Sequence, residues 1–421
     1  MIRTGRFLPL VAAMALVMGC SSAATTAPTA APATAAPATA APATAAPATA
    51  APATAAPATA APTAAPAEAW TQSDIFKDFD PMAIDLTGYT PGPNGEHSTA
   101  AADVPDPSAE CVAKIKGENL KLAFLSSAQI SWMAAIEKGV RDEAAKYGID
   151  VAMTADSNFD PAKQAADVET AMASKPDILI ALPNDPVSAG QAFKPALDAG
   201  TTIVFYDNPV DGWTAGKEYV TISTGDHYRM GQAAADLLAK AIGENGTYGF
   251  IQYDVVFYNS NNREKGFLAE MAQKHPGIRN VAWTGFTDPA AVGQATDAML
   301  TQHPDLDGIY VSFSGGPGTG VLASLSATGN THTKVVTHDL DAANDVIMAT
   351  QGSNFYGTAI EITHAEGANT VKAAVLKRCG VDVPPFIVVP AMGVSRDNLA
   401  QAWTDAMHID PSAEILKALG Q

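Results

Sequence analysis

The chain has 421 residues and carries 44 acidic against 25 basic side chains, a formal net charge of −19. That balance excludes a nucleic-acid binder, which needs basic patches to displace phosphate counterions. Three cysteines without close spacing, and eight histidines without a His-x3-His pattern, exclude a zinc site.

The chain opens with Arg3 and Arg6, an apolar run from Phe7 to Met18, then Gly19 and Cys20. A basic start, a short apolar core and a small residue before a cut predict an export signal over 1–20. The run is shorter than the about 20 apolar residues that span a bilayer. Val17-Met18-Gly19-Cys20 reads as a lipoprotein box, with Met18 bulkier than usual. It predicts a lipid (palmitate) on Cys20, hence anchoring to the outer face of the cell membrane.

Residues 21–68 are Ala, Pro and Thr rich, and the unit Ala-Ala-Pro-Ala-Thr recurs from about Ala30 to Pro66. Such a segment has no large apolar group to offset its ordering entropy. It is expected to be an extended spacer with a reach on the order of 100 Å. Residues 69–118 read as an acidic extension of weak periodicity. Cys111 in that extension and Cys379 form a candidate pair, either bridged in an oxidising compartment or two free buried thiols.

From Lys121 onward short apolar runs alternate with helical patterns. The predicted strands are Leu122–Leu125, Ile178–Leu182, Thr202–Tyr206, Tyr219–Ile222, Gly249–Tyr253, Ile309–Phe313 and Lys334–Thr337. Asp160 is a predicted N-cap with Pro161 at the first helical position, and Ala165, Val168 and Met172 follow on one face. Strands alternating with helices imply βαβ units and parallel sheets. About 300 residues of this beat imply an α/β fold with two doubly wound lobes.

Ligands bind at the carboxyl ends of such strands. The segments there are Ser126–Met133, Pro183-Asn184-Asp185, Asp207-Asn208-Pro209, Ser314–Gly318 and His338–Asp341. An aromatic ring, carboxylates and amides at one edge suit a polyhydroxylated ligand.

At this point the chain resembles the periplasmic sugar-binding proteins of the ribose and galactose type. The resemblance rests on Lys121–Ser127 with Trp132-Met133 and Glu137-Lys138-Gly139, on Asn158–Gln164, on Asp177–Asp185, on Ile203–Asp207, on Asn262–Phe267 and on Val335–Asp339. It implies a type I periplasmic-binding fold with three hinge crossings, near Thr224-Gly225, Glu361-Ile362 and Pro390-Ala391. Lobe 1 would comprise 119–224 and 362–390, and lobe 2 225–361 and 391–421.

The resemblance places Trp132 as the aromatic that stacks on the sugar ring, with Met133 where a second aromatic usually stands. Asp207, Arg263 and Asp339 take the places of the carboxylates and the guanidinium that grip hydroxyls. Asn208 stands where Arg is common, Ser314 where Asn or Asp is common, and Glu361 where Gln is common. Gln129, Asn184 and Tyr258 are candidates for the rim. Each residue also has a plain structural reading: Trp132 as a loop aromatic, Asp207 as a turn residue, Arg263 as a solvated helix start, Asp339 as an N-cap.

No Gly-x4-Gly-Lys-Ser/Thr loop is present, so the chain is not a transporter's ATPase. No Gly-x-Ser-x-Gly elbow supports an esterase, and Gly315-Gly316-Pro317-Gly318 reads as a tight strand-to-helix turn. No enzyme activity and no cofactor are expected. The leading expectation is a monomeric, lipid-anchored protein that binds a sugar, a polyol or an amine-bearing ligand and delivers it to the permease of an ABC importer. A sensor of the same fold is the alternative.

Overall fold

The fold is seen in a computed structural model that describes residues 73–421. The expected signal, the lipid site at Cys20 and the whole of the spacer lie outside the described residues.

Among the described residues, thirteen strands and twelve α-helices follow in chain order. The first half runs β1 (Thr99–Ala100), α1 (Ala109–Glu118), β2 (Lys121–Ser126), α2 (Ser131–Tyr147), β3 (Asp150–Asp156), α3 (Pro161–Ala173), β4 (Ile178–Ala181), α4 (Pro186–Asp198), β5 (Thr202–Tyr206) and β6 (Ile222–Gly225). Next come α5 (His227–Ile242), β7 (Thr247–Tyr253), α6 (Tyr258–Lys274), β8 (Arg279–Phe286), α7 (Val292–Gln302), β9 (Gly308–Val311), α8 (Thr319–Ala327), β10 (Lys334–His338) and α9 (Ala342–Ala349). The chain closes with β11 (Phe355–Glu361), α10 (Thr363–Arg378), β12 (Phe386–Val389), β13 (Ala391–Ser395), α11 (Leu399–Met407) and α12 (Ala413–Leu419).

These strands form two sheets, of order β1-β12-β6-β5-β4-β2-β3 and β13-β11-β10-β9-β7-β8. All ladders are parallel except β11 with β13. Helices cover both faces of each sheet. In the first lobe α1, α2 and α10 pack on one face, and α3 and α4 on the other. Central strands are therefore apolar throughout: Ile178–Ala181 and Gly308–Val311 are buried at every position. The chain passes from one sheet to the other after Gly225, between Glu361 and Thr363, and at Pro390.

Several local expectations shift. The strand read over Tyr219–Ile222 lies at Ile222–Gly225, because Tyr219 and Val220 are buried yet precede the ladder to β12. The edge strands β3 and β8 were not expected, since no residue of β3 is fully buried and few of β8 are. Asp160 caps α3 through Ala162 and Lys163 N–H, and the buried face is Gln164, Val168 and Ala171. Gly316 takes φ +72° in the turn before α8, where a Cβ would be strained.

The extension is built into both lobes. Phe76 is fully buried beside Phe79 and Trp283 of lobe 2. Gln273 donates to the carbonyls of Pro81 and Ile84 at 2.8 and 3.1 Å, and Thr90 donates to Asp226 through N–H and hydroxyl at 3.1 and 2.9 Å. Farther on, Thr99–Ala100 pairs with Ile387–Val388 of lobe 1. Cys111 on α1 is disulfide-bonded to Cys379 after α10, with Cα atoms 5.7 Å apart. The segment between Pro91 and Thr99 is thus a fourth connection across the lobes.

Candidate functional site

Two helix crossings set the site. A Cβ on Gly139 of α2 would meet His364 O at 2.0 Å, and one on Gly367 of α10 would meet Ile136 O at 2.1 Å. In lobe 2, Gly231 of α5 and Gly266 of α6 are equally close to Arg263 O and Tyr228 O, at 2.1 and 2.4 Å. Glycine at each crossing lets the backbones touch. The first crossing brings Trp132 and Glu361 together, and the second brings His227 and Arg263 together.

Asp207 directly follows β5 and Asp339 directly follows β10, and both have positive φ, +58° and +70°. Left-handed backbone at a residue other than glycine is strained, and such strain gathers at functional sites. The capping alternative for Asp339 does not hold, because Asp341 caps α9 through Asn344 N–H.

A continuous chain of hydrogen bonds links the two aspartates. Arg263 Nη1 donates to both oxygens of Asp339 at 3.0 and 2.9 Å, and Nη2 reaches Glu361 Oε2 at 3.5 Å. Its Nε donates to His227 Nδ1 at 3.3 Å, which places the imidazole proton on Nε2, 2.7 Å from Thr224 Oγ1. Thr224 then donates to Asp207 Oδ1 at 2.6 Å. Asn259 donates to Asp207 Oδ2 at 2.9 Å, and Trp132 Nε1 donates to Glu361 Oε1. The last two bonds join lobe 1 directly to lobe 2.

Burial and charge oppose each other here. Arg263 is 2 % exposed. Burial alone would lower its pKa, but the carboxylates of Asp339, Glu361 and Asp207 raise it more. Burial would raise Asp207, yet His227, Arg263 and Thr224 hold it below the usual carboxylate value. Burial raises Asp339, with Arg263 pulling back and Glu361 adding to the rise. Burial also drives His338 well down, so it is neutral.

Apolar surface lies alongside. Trp132 is 9 % exposed and its ring is 6.1 Å from Tyr206, which stacks on Phe124 at 5.8 Å. On lobe 2, Tyr253 stands 5.4 Å from both Phe286 and Phe313 and 6.1 Å from Phe257. Tyr253 and Phe286 end β7 and β8, Phe313 follows β9 and Phe257 precedes α6; none was singled out in the sequence as a site residue.

The remaining candidates divide. Asn208 is buried and donates to Pro183 O at 3.2 Å, while its Oδ1 has no partner. Met133 belongs to the lobe 1 core, 3.5 Å from Tyr206 Oη. Ser314 accepts from Asn344 through its carbonyl and hydroxyl oxygens. Asn184 is committed to Ser127 and Ser157 at 2.5 and 2.7 Å. Tyr258 donates to Pro91 O in the extension, and Gln129 is exposed. One group of metal-ligand type occurs among the described residues, Asp236, Glu270 and His275. It lies apart from this site, and His275 is already paired with Asp236 and Glu244.

A family model described as periplasmic binding protein domain matches residues 123–380. The chain belongs to that family. It is a family of binding proteins, not of enzymes. The binding protein is 24% identical over 267 residues to the ribose import binding protein RbsB of Escherichia coli, covering 63% of this chain and 87% of that one. Among solved structures it is similar to a solute-binding protein of Agrobacterium vitis bound with alpha-D-tagatopyranose. There the TM-score is 0.61 and the identity 23%, over 70% of this chain and 100% of the other. A 5-methylthioribose transporter solute-binding protein of Thermotoga lettingae gives a TM-score of 0.58 at 21% identity, over 72% of this chain and 93% of the other. The shared fold is the two-lobed α/β architecture described above.

Sequence reasoning missed His227 and Asn259, and took Thr224 only as part of a hinge crossing. One signal was available for Asn259: it precedes Arg263 by four residues, so both face the same side of α6.

Proposed function

We propose that this binding protein captures a sugar or related polyol between its lobes and hands it to the membrane subunits of an ABC importer. The observation that carries this reading is the pair of strained aspartates, one from each lobe, joined through Arg263 and flanked by Trp132. Carboxylates accept from hydroxyls, the guanidinium donates to them, and an indole face covers a ring. The relatives named for ribose, tagatopyranose and 5-methylthioribose support the same class. Closure would be driven by the ligand's preference for the closed lobes over the open ones. The protein would work outside the cytoplasm as a monomer, held at the cell membrane by lipid on Cys20.

The test is calorimetry and thermal shift over pentoses, hexoses, polyols and amino sugars. At least one member should stabilise the protein in proportion to its concentration. A panel in which none does so would overturn the reading.

A further inference from the structure

Charge and hydrogen-bonding capacity at the interlobe site are out of balance. Asp207, Asp339, Glu361 and Glu366 lie within electrostatic reach of one another, and Arg263 is the guanidinium among them. Its charge is already shared between Asp339 and Glu361. Asp207 takes the Thr224 hydroxyl and the Asn259 amide. Glu366 receives nothing: it is 0 % exposed, and neither carboxyl oxygen has a partner.

The position of Glu366 ties it to the site. It sits in the first turn of α10, five residues after Glu361, and its carbonyl accepts from Ser223 Oγ at 3.0 Å. Ser223 is paired in register with Tyr206, the residue before Asp207. Asp207 and Glu361 are the charges that weigh most on the Glu366 carboxyl. A second buried acceptor without a partner, Asn208 Oδ1, belongs to the residue after Asp207. Among Asp207, Asn208, Arg263, Asp339, Glu361 and Glu366, every unpartnered atom is an oxygen.

A buried carboxyl without a partner is costly, and native proteins rarely leave one unless something else meets it. Neutral hydroxyls supply donors but no charge. An ammonium supplies three donors together with a positive charge, which favours the ionised form of Glu366 and turns the contact into a charge-assisted one.

We propose that the ligand carries a protonated amine on a polyhydroxylated frame, an amino sugar or amino polyol, with the ammonium directed to Glu366 and Asn208. The hydroxyls then meet Asp207, Arg263 and Asp339. This inference rests on the reading of the interlobe site as a sugar or polyol site. Burial, with Asp207 and Glu361 adding to it, holds the Glu366 carboxyl far above the usual range. An arriving ammonium would draw it into the ionised form and release a proton.

The experiment is calorimetry on the intact protein with three forms of each frame: the neutral sugar, its 2-amino-2-deoxy form and the N-acetylated amine. Glucose, glucosamine and N-acetylglucosamine are one set; galactose and 1-amino-1-deoxy polyols start others. The amine should bind about 10-fold or more tighter than both uncharged counterparts, as charge-assisted hydrogen bonds imply. E366Q, checked for folding by circular dichroism, should erase that preference, the amine then binding no tighter than its uncharged counterparts. E366I, which removes the carboxyl outright, should do the same and fold at least as stably. A neutral sugar that binds as tightly as its amine, or a preference that survives both variants, would overturn the inference and leave the sugar-binding reading standing. Silence from every sugar, polyol and amine would overturn both.

Discussion

Trp132 and Asp339 do different work at one boundary. Trp132 offers a ring face and, through Nε1, a bond to Glu361; Asp339 holds one guanidinium nitrogen of Arg263 between its two oxygens. Trp132→Ala or Asp339→Ala should each weaken ligand binding by at least ~1 kcal/mol, the scale of ring contacts and charged hydrogen bonds. Calorimetry reads this, and parental affinity in both variants would mean the site is elsewhere. Glu264 gives a separate outcome. Burial raises its carboxyl from the ordinary 4.5 to about 7, despite hydrogen bonds from Ser312 and Tyr253 N–H. A raised carboxyl stabilises the fold fully below its unfolded value, and that stability is lost as pH rises through about 7. The loss is on the order of 3 kcal/mol. Melting temperature should therefore fall between pH 5 and 8, and Glu264→Gln should flatten the decline in part, since buried Asp345 and Glu366 push the same way. The sequence made Asp207, Asp339 and Arg263 legible because each sits at a strand end or in a family block. It hid His227 and Glu366, which lie in polar stretches that read as solvated helix starts. Only the glycine-mediated helix crossings turn those stretches inward. Met133 misled for the opposite reason: its place beside Trp132 in the chain puts it on the core side of α2.

Among the elements, the extension departs most from expectation. It has no period because it forms little regular structure of its own; it takes its shape from two finished lobes. Its contacts with lobe 2 end near Pro91 and those with lobe 1 begin at Thr99. The Cys111–Cys379 bond closes a span of 268 residues. Closing so long a loop restricts the unfolded chain, and natural bridges of this kind contribute about 2–5 kcal/mol. Reduction should lower the denaturant midpoint accordingly, and Cys111→Ser should behave as the reduced parent does. An unchanged midpoint would show that helix α1 holds its place by packing alone. Edge strands were the other blind spot. Apolar runs mark strands with both faces buried, whereas β3 is half-exposed along its length.

For the whole molecule, the alternation of strands and helices was enough to indicate two α/β lobes, and the sheet orders agree. What the pattern could not contain is the fourth connection. Three hinge segments leave the lobes free to part; a strap pinned to both sides narrows that freedom. In small-angle scattering, ligand-saturated protein should match the compact arrangement described here. A chain lacking residues 73–98 should expand more than the parent when ligand is removed. Equal expansion would mean the strap follows the lobes passively. The disulfide also has a mechanical consequence. A pull applied along the polypeptide from both ends enters lobe 2 where Ser73 bonds Asp254. It can peel the strap only as far as Cys111. There the load jumps through sulfur to Cys379, and residues 112–378, enclosed between them, bear no tension. Apart from β1, β12 and β13, both sheets are thereby shielded from any force transmitted along the chain.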